Sequence, residues 1–125
     1  ITKELDEAGA DIIFYAAGAS AKGIIDTAVE RKIKLISIDP RDTKLASNNI
    51  LTTILKNTGY IVKNTVEKIA NDNYVNEIKE YGLSDNAFVI DQKQAREMMS
   101  QEVINKIEEY KNQVISGEIE VPAVP

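Results

Sequence analysis

The residue types that hold a small polar molecule occur at four positions of this sequence: Gly18, Ser20, Asp39 and Lys56. A glycine between a strand and a helix lets a ligand approach the backbone, and the amides at the helix start attract polar or anionic atoms. The carboxylate of Asp39 accepts two hydroxyl hydrogens at once, which suits the vicinal hydroxyls of a sugar. The ammonium group of Lys56 donates to a base or a carbonyl oxygen. These residue types indicate binding of a small polar ligand.

Each of these positions also has a purely structural explanation. Gly18 fits a simple turn, and Ser20 fits the N-cap of the helix that follows it. Asp39 is placed to begin the turn "DPRD", because aspartate commonly precedes proline in turns. Lys56 fits a solvated lysine at a strand end. The residues alone leave the binding and the structural explanations open.

The stretch "GAS" at residues 18–20 comes close to the nucleophile elbow of hydrolases, in which a serine stands on a turn between strand and helix. Lys22 stands where that motif has glycine, and the sequence contains neither a histidine to take the proton nor a cysteine. The stretch also lacks the glycine spacing of a dinucleotide fingerprint and the ending of a P-loop. We therefore expect no enzymatic activity, no cofactor and no metal site.

Composition limits the number of domains that the chain can form and the class of partner that it can bind. With 125 residues and 43% hydrophobic content, the chain is long enough for one core, so a single α/β domain over residues 1–125 is expected. The net charge of −5 disfavours a nucleic-acid groove, since phosphate binding needs a basic surface. We expect no direct contact with nucleic acid.

The elements that must position these residues follow from hydrophobic periodicity. The run "DIIFYAA" after Gly9 is typical of a strand buried on both faces of a parallel sheet. Tyr15, within that run, is expected in the core. The pattern predicts a helix in "ITKELDEAGAD", strands at 11–17, 33–39 and 50–57, helices at 20–31 and 58–72, and a connector at 40–49 with room for one helical turn.

The pattern of the carboxy-terminal part is less complete. Residues 75–81 and 86–90 are two short strand candidates split by "SDN", and either a hairpin or a long loop fits them. Residues 92–116 have the periodicity of one helix, with a solvated charged face at 93–111 and a stop at Gly117. The strands predicted upstream are each followed by a candidate: Gly18 with Ser20 after the first, Asp39 after the second and Lys56 after the third. Ligands bind at this edge of a parallel sheet.

Several stretches together resemble the carboxy-terminal part of the basic membrane protein family, substrate-binding lipoproteins of nucleoside ABC transporters. The stretches are "GADIIFYAAGASAKGIIDTAVERKIKLISID", "LTTILKNTGYIVKNTVEKI", "YGLSDNAFVI" and "YKNQVISGEIEVP", which cover nearly the whole chain in order. The family's usual pattern is closer to "AAGGTG", "VDSDQ" and "LKR". Because "DPRD" replaces "DSDQ", the resemblance implies a rim with a different charge.

The resemblance implies a fold and a site. The fold is a three-layer lobe of a class I periplasmic-binding-protein-like protein, whose two lobes close like a hinge on one ligand. Gly18 is similar to the loop against the ligand, Asp39 to the ribose-binding aspartate, and Lys56 to the ligand-binding lysine. The implied ligand is a nucleoside or a similar small polar molecule, and the implied partner is an ABC-transporter permease.

The resemblance also bears on location and on an alternative role. It implies an extracytoplasmic lipoprotein, anchored to the cell membrane by a segment that is not in this chain. The helical stretch that opens the chain has neither an initiator methionine nor a cap, so we expect a fragment of a two-lobe protein, which could associate with itself. The form "YAAGASAKGIIDTAVE" is similar to a Med-like branch of the family, whose members are positive regulators of competence gene expression. The alternative function is therefore regulatory.

Overall fold

A computed structural model describes residues 1–122 of the chain. They form two compact units: one comprises Ile1–Leu55 with Ile90–Ile104, and the other comprises Lys56–Val89 with the chain from Asn105 onward. The predicted single lobe extended to Pro125, and residues 123–125 lie outside the described part. The helices are α1 (Thr2–Glu7), α2 (Ala21–Arg31), α3 (Asp42–Leu45), α4 (Thr58–Ala70), α5 (Gln92–Met98) and α6 (Gln101–Ser116), and the strands are β1 (Ile12–Phe14), β2 (Lys34–Ser37), β3 (Ile50–Lys56) and β4 (Phe88–Ile90).

The strands form one sheet in the order β1-β2-β3-β4. β1 pairs with β2 and β2 with β3, both in parallel, as the strand-helix-strand pattern predicts. β4 runs antiparallel to β3, because the Asn57 amide donates to the Ala87 carbonyl at one end and the Asp91 amide donates to the Thr53 carbonyl at the other. The predicted α/β class with a parallel sheet is confirmed, and an antiparallel edge strand is added to it.

The core of the first unit lies between α2 and one face of β1 and β2. Alternate strand residues point the same way, so Ile13 of β1 and Leu35 of β2, which pair directly, both reach this core. Tyr15 is buried there, which confirms its expected place in the core. The buried cluster comprises Ile13, Tyr15, Ile25, Ala28, Ile33, Leu35, Ala46 and Ile50.

The expectation that the first strand is buried on both faces is wrong. Ile12 is 48% exposed and Phe14 is 57% exposed, whereas Ile13 between them is buried. β1 is the edge strand, and only its side chains on the α2 side find apolar partners in the first unit. The length of the apolar run therefore overstated the burial, because composition does not report which face of a strand is covered.

In the carboxy-terminal half, one open alternative is decided and one prediction is wrong. Of the hairpin and the long loop that both fit residues 75–90, the loop is present at 75–81, where the segment is irregular and Ile78 is fully exposed. The helix predicted over 92–116 is two helices, because Met99 adopts an extended conformation (φ −127°, ψ 153°). Ser100 then accepts a hydrogen bond from the Val103 amide at 3.3 Å and starts α6. Periodicity does not detect so short a break.

α5 is held in the first unit by polar contacts at its start. The Asp91 carboxylate accepts hydrogen bonds from the Lys93 and Gln94 amides, which caps the helix. The buried Gln94 side chain donates to the carbonyls of Ser47 (2.8 Å) and Ile50 (2.6 Å).

None of the helices within residues 1–122 is both long enough and apolar enough to cross a membrane.

Candidate functional site

A cleft of about 570 Å³ opens at the carboxyl ends of β1 and β2 in the first unit. Its walls come from the 3₁₀ turn Gly18–Ser20 after β1 and from the turn and α3 after β2. Two residues predicted from the sequence, Gly18 and Asp39, line it together. The complete lining is Tyr15, Ala17, Gly18, Ala21, Ile38, Asp39, Arg41, Asp42, Lys44 and Leu45.

Gly18 begins the turn with a left-handed backbone (φ +53°). Residues with a Cβ atom are strained in that conformation, and glycine is not. A Cβ built at Gly18 would meet nothing within 4 Å, so the requirement for glycine comes from the backbone angle and not from crowding. The turn explanation holds for this residue, and the same turn places its backbone in the wall of the cleft.

The Asp39 carboxylate is bonded by Arg41 on both of its oxygens. The Arg41 amide donates to Oδ1 at 2.9 Å, the Arg41 Nε lies 3.0 Å from each oxygen, and Nη2 lies 2.5 Å from Oδ2. These side-chain and backbone hydrogen bonds lower the pKa of Asp39 to about 2. Asp39 is therefore a carboxylate throughout the neutral range, and its partner is a guanidinium that is itself 84% exposed.

A buried hydrogen-bond network lies behind this turn. The Asp42 carboxylate accepts from the Tyr15 hydroxyl and from the Ser37 hydroxyl, each at 2.6 Å. The Ser37 oxygen in turn accepts from the Asp39 amide at 3.0 Å. The network joins the ends of β1 and β2 to α3, so it fixes the backbone position from which Asp39 projects.

Burial and the neighbouring Asp42 carboxylate raise the pKa of Tyr15 from 10.0 to about 12, because both disfavour the phenolate. The raised pKa means that the folded state holds this proton more tightly than the unfolded state. Its stabilising contribution is complete below pH 10 and is lost as the pH rises through about 12. We expect urea unfolding to show this loss, and the Tyr15→Phe variant to lack it. An equally steep loss in that variant would contradict the assignment.

The other two predicted residues, Ser20 and Lys56, are not among the lining residues of this cleft. Ser20 is exposed at the N-cap position of α2, but its side chain makes no capping bond, so the predicted capping role is wrong. It lines a separate cleft of about 460 Å³ with Gly23 and residues of α1. Lys56 is the exposed last residue of β3 and belongs to the second unit. Ligand contacts by Ser20 and Lys56 stay predictions.

The sequence did not predict two features of the site. One is Arg41, and the other is the hydrogen-bond network of Tyr15, Ser37 and Asp42. The signal for Arg41 was available, since "DPRD" places a cation two residues after Asp39. The signal for the network was not, because Tyr15 and Asp42 are 27 residues apart and only the sheet brings them together. Tyr15 was predicted as a core residue, and its buried hydroxyl in addition donates a hydrogen bond to Asp42.

The second unit contains a polar cleft of about 420 Å³ between α4 and the irregular segment up to Asn86. Within it, Lys79 lies 3.7 Å from the Asp85 carboxylate and 4.9 Å from the centre of the Tyr81 ring. None of the residues predicted to bind a ligand lines this cleft. Among the residues that the structure describes, no group of acidic side chains is placed to hold a metal ion.

Comparison with known proteins identifies the family of this chain. The family described as "ABC transporter substrate-binding protein PnrA-like" (Bmp) matches residues 1–124. A CD4+ T-cell-stimulating antigen of Listeria monocytogenes is 29% identical, over 100% of this chain and 39% of that protein. Basic membrane protein C of Borreliella burgdorferi is 26% identical, over 89% of this chain and 32% of that protein.

A solved structure supports the fold. The solute-binding protein of an ABC transporter system from Conexibacter woesei matches with a TM-score of 0.74 and 15% identity, over 97% of this chain and 40% of that one. The chain thus spans about two fifths of the length of these relatives or less. The family consists of substrate-binding proteins and not of enzymes, in agreement with the expectation from the sequence. The chain belongs to the Bmp family of PnrA-like ABC-transporter substrate-binding proteins.

Proposed function

We propose that this chain is a ligand-binding lobe of a two-lobe substrate-binding protein for a nucleoside or a similar small polar molecule. The observation that carries the proposal is that Gly18 and Asp39, predicted separately from the ends of two strands, line one cleft of about 570 Å³. Small-molecule sites in α/β sheets occur at this edge of the sheet, and they are of this order of size.

The chemistry of the cleft supports a ligand with both a polar and an apolar part. Asp39 supplies an ionised acceptor for hydroxyl groups, since its pKa lies near 2. The side chains of Ala17, Ile38 and Leu45 supply apolar surface in the same cleft. A sugar with a planar base attached has this division of polarity. Ser20 and Lys56, which the sequence places after strand ends, are proposed as further ligand contacts.

The family supports the proposed partner and location. Substrate-binding proteins of ABC transporters are extracytoplasmic and deliver their ligand to a permease, so we propose a permease as the partner of the complete protein. Anchoring as a lipoprotein is part of the same proposal. The net charge of −5 argues against direct binding of this chain to nucleic acid, so in a Med-like regulatory role any DNA contact would come from residues outside this chain, or the effect would be indirect.

The replacement Asp39→Ala in the complete two-lobe protein tests the proposal. We expect it to weaken nucleoside binding by about 1 to 3 kcal/mol, because a charge-assisted hydrogen bond is lost. Isothermal titration calorimetry with a panel of nucleosides measures this. The matched control is Asp26→Ala, which removes an exposed carboxylate of α2 that is paired with Lys22.

An unchanged dissociation constant in Asp39→Ala would remove Asp39 from the site. If the unmodified protein binds no nucleoside of the panel, the nucleoside proposal is wrong. The regulatory alternative would then become the leading explanation of the chain.

A further inference from the structure

The acceptor positions of the Asp39 carboxylate are already used within the chain. A carboxylate has about four lone-pair positions. Oδ1 faces the Arg41 amide and Nε, and Oδ2 faces the same Nε and the Nη2 of Arg41. These three donors, one of them shared between the two oxygens, leave too few positions for the carboxylate to accept two hydroxyl hydrogens of a ligand as well. Asp39, which is proposed to hold the ligand, and Arg41, whose donors bind its carboxylate, are two positions apart in one turn.

Arg41 is free to leave this position, whereas Asp39 is not. The Arg41 side chain is 84% exposed and the Asp39 side chain is 32% exposed. The backbone of Asp39 is held by Ser37, which belongs to the buried network with Asp42 and Tyr15. Rotation of the guanidinium into solvent therefore frees Oδ2 and leaves only the Arg41 amide on Oδ1, without any change in the strands.

We propose that Arg41 determines specificity at this site by competing with the ligand's hydroxyl groups for the Asp39 carboxylate. This inference rests on the proposed function and names the regulation of the same site. An uncharged diol binds only after displacing the guanidinium, so its affinity is lower than the cleft would otherwise allow. A ligand without a pair of hydroxyls does not need that displacement and is penalised less.

The opposite role for Arg41 is direct contact with the ligand. In that case the guanidinium would add affinity, and its removal would weaken binding. The two roles therefore predict opposite changes in ligand affinity when Arg41 is replaced, so a single substitution distinguishes them. They also differ in their response to salt, because screening weakens an exposed ion pair and frees the carboxylate.

The test is Arg41→Gln in the complete two-lobe protein, titrated by calorimetry with ribonucleosides and their 2′-deoxy counterparts. An exposed ion pair contributes up to about 1 kcal/mol, so we expect about fivefold tighter binding of the ribonucleoside and a smaller gain for the deoxy form. Added sodium chloride should tighten ribonucleoside binding by the unmodified protein and leave Arg41→Gln unchanged. Lys44→Gln is the matched control, because it removes a positive charge from the same cleft and Lys44 is not a donor to Asp39.

The outcomes separate this inference from the proposed function. Tighter binding in Arg41→Gln but not in Lys44→Gln supports the competition. Equal or weaker binding in Arg41→Gln, together with loss of binding in Asp39→Ala, overturns the competition and leaves Asp39 as a ligand contact. Unchanged nucleoside binding in Asp39→Ala overturns the competition and removes Asp39 from the site, whereas the absence of nucleoside binding by the unmodified protein overturns the proposed function. A carboxyl titration by nuclear magnetic resonance checks the ion pair itself, since the pKa of Asp39 should rise from about 2 in Arg41→Gln, and an unchanged pKa would contradict the pairing.

Discussion

Replacing Leu35 by alanine is expected to destabilise the chain by about 3 kcal/mol, since the lost burial and the cavity left behind both act. Leu35 is 0% exposed, and in the sheet it lies between Ile13 of β1 and Ile50 of β3. Removal of its side chain opens a cavity where the two strand pairs meet the helix α2. Urea unfolding followed by circular dichroism measures the change in the free energy of unfolding.

The matched control for this prediction is Leu45→Ala. Leu45 is 67% exposed, so the same deletion there should change the free energy of unfolding by about 0.5 kcal/mol or less. If Leu35→Ala does not fold, the smaller change Leu35→Val keeps the prediction testable. Similar losses at the two leucines would mean that the core is not where the structure places it.

The second large effect is expected for Asp42→Ala, which should cost about 3 kcal/mol of stability. The substitution leaves the buried hydroxyls of Tyr15 and Ser37 without the carboxylate that accepts both of them at 2.6 Å. The turn that carries Asp39 would also lose its support, because Ser37 accepts from the Asp39 amide. Ligand affinity should therefore fall together with stability.

A double-mutant cycle separates this network from a general effect of removing an acid. The added cost of Asp42→Ala should be smaller in a Tyr15→Phe background, since one of the stranded hydroxyls is then absent. Asp26→Ala, which removes an exposed acid, should cost little. Additive losses of Tyr15→Phe and Asp42→Ala would show that the two side chains do not act together.

The sequence predicted the first half of the fold well because its signals are local. Apolar runs, helical spacing and turn residues predicted β1, α2, β2, β3 and α4 in order, with boundaries that shifted by a few residues. Gly117, with φ +80°, ends the last helix as predicted. Local signals left residues 75–81 open between a strand and a loop, because a strand forms only where a partner strand is available, and the structure has a loop there.

The candidate site likewise has a part that the sequence could predict and a part that it could not. Gly18 and Asp39 were identified from the sequence because each follows a strand, and parallel strands end at one edge. Arg41 was within reach of the sequence but its bonds were not, since the direction of its side chain depends on the geometry of the turn. Ser20 was placed correctly at the helix start, yet its hydroxyl makes no capping bond.

The sequence by itself determined the α/β order, the absence of histidine and cysteine chemistry, and the positions of Gly18 and Asp39, because these depend on residue type and short-range spacing. The tertiary structure alone decided which face of β1 is covered, that β4 is antiparallel, and that Tyr15 bonds Asp42 across 27 residues. The physical reason is that such contacts are set by strand order and register, and these arise from packing among elements that are distant in the chain.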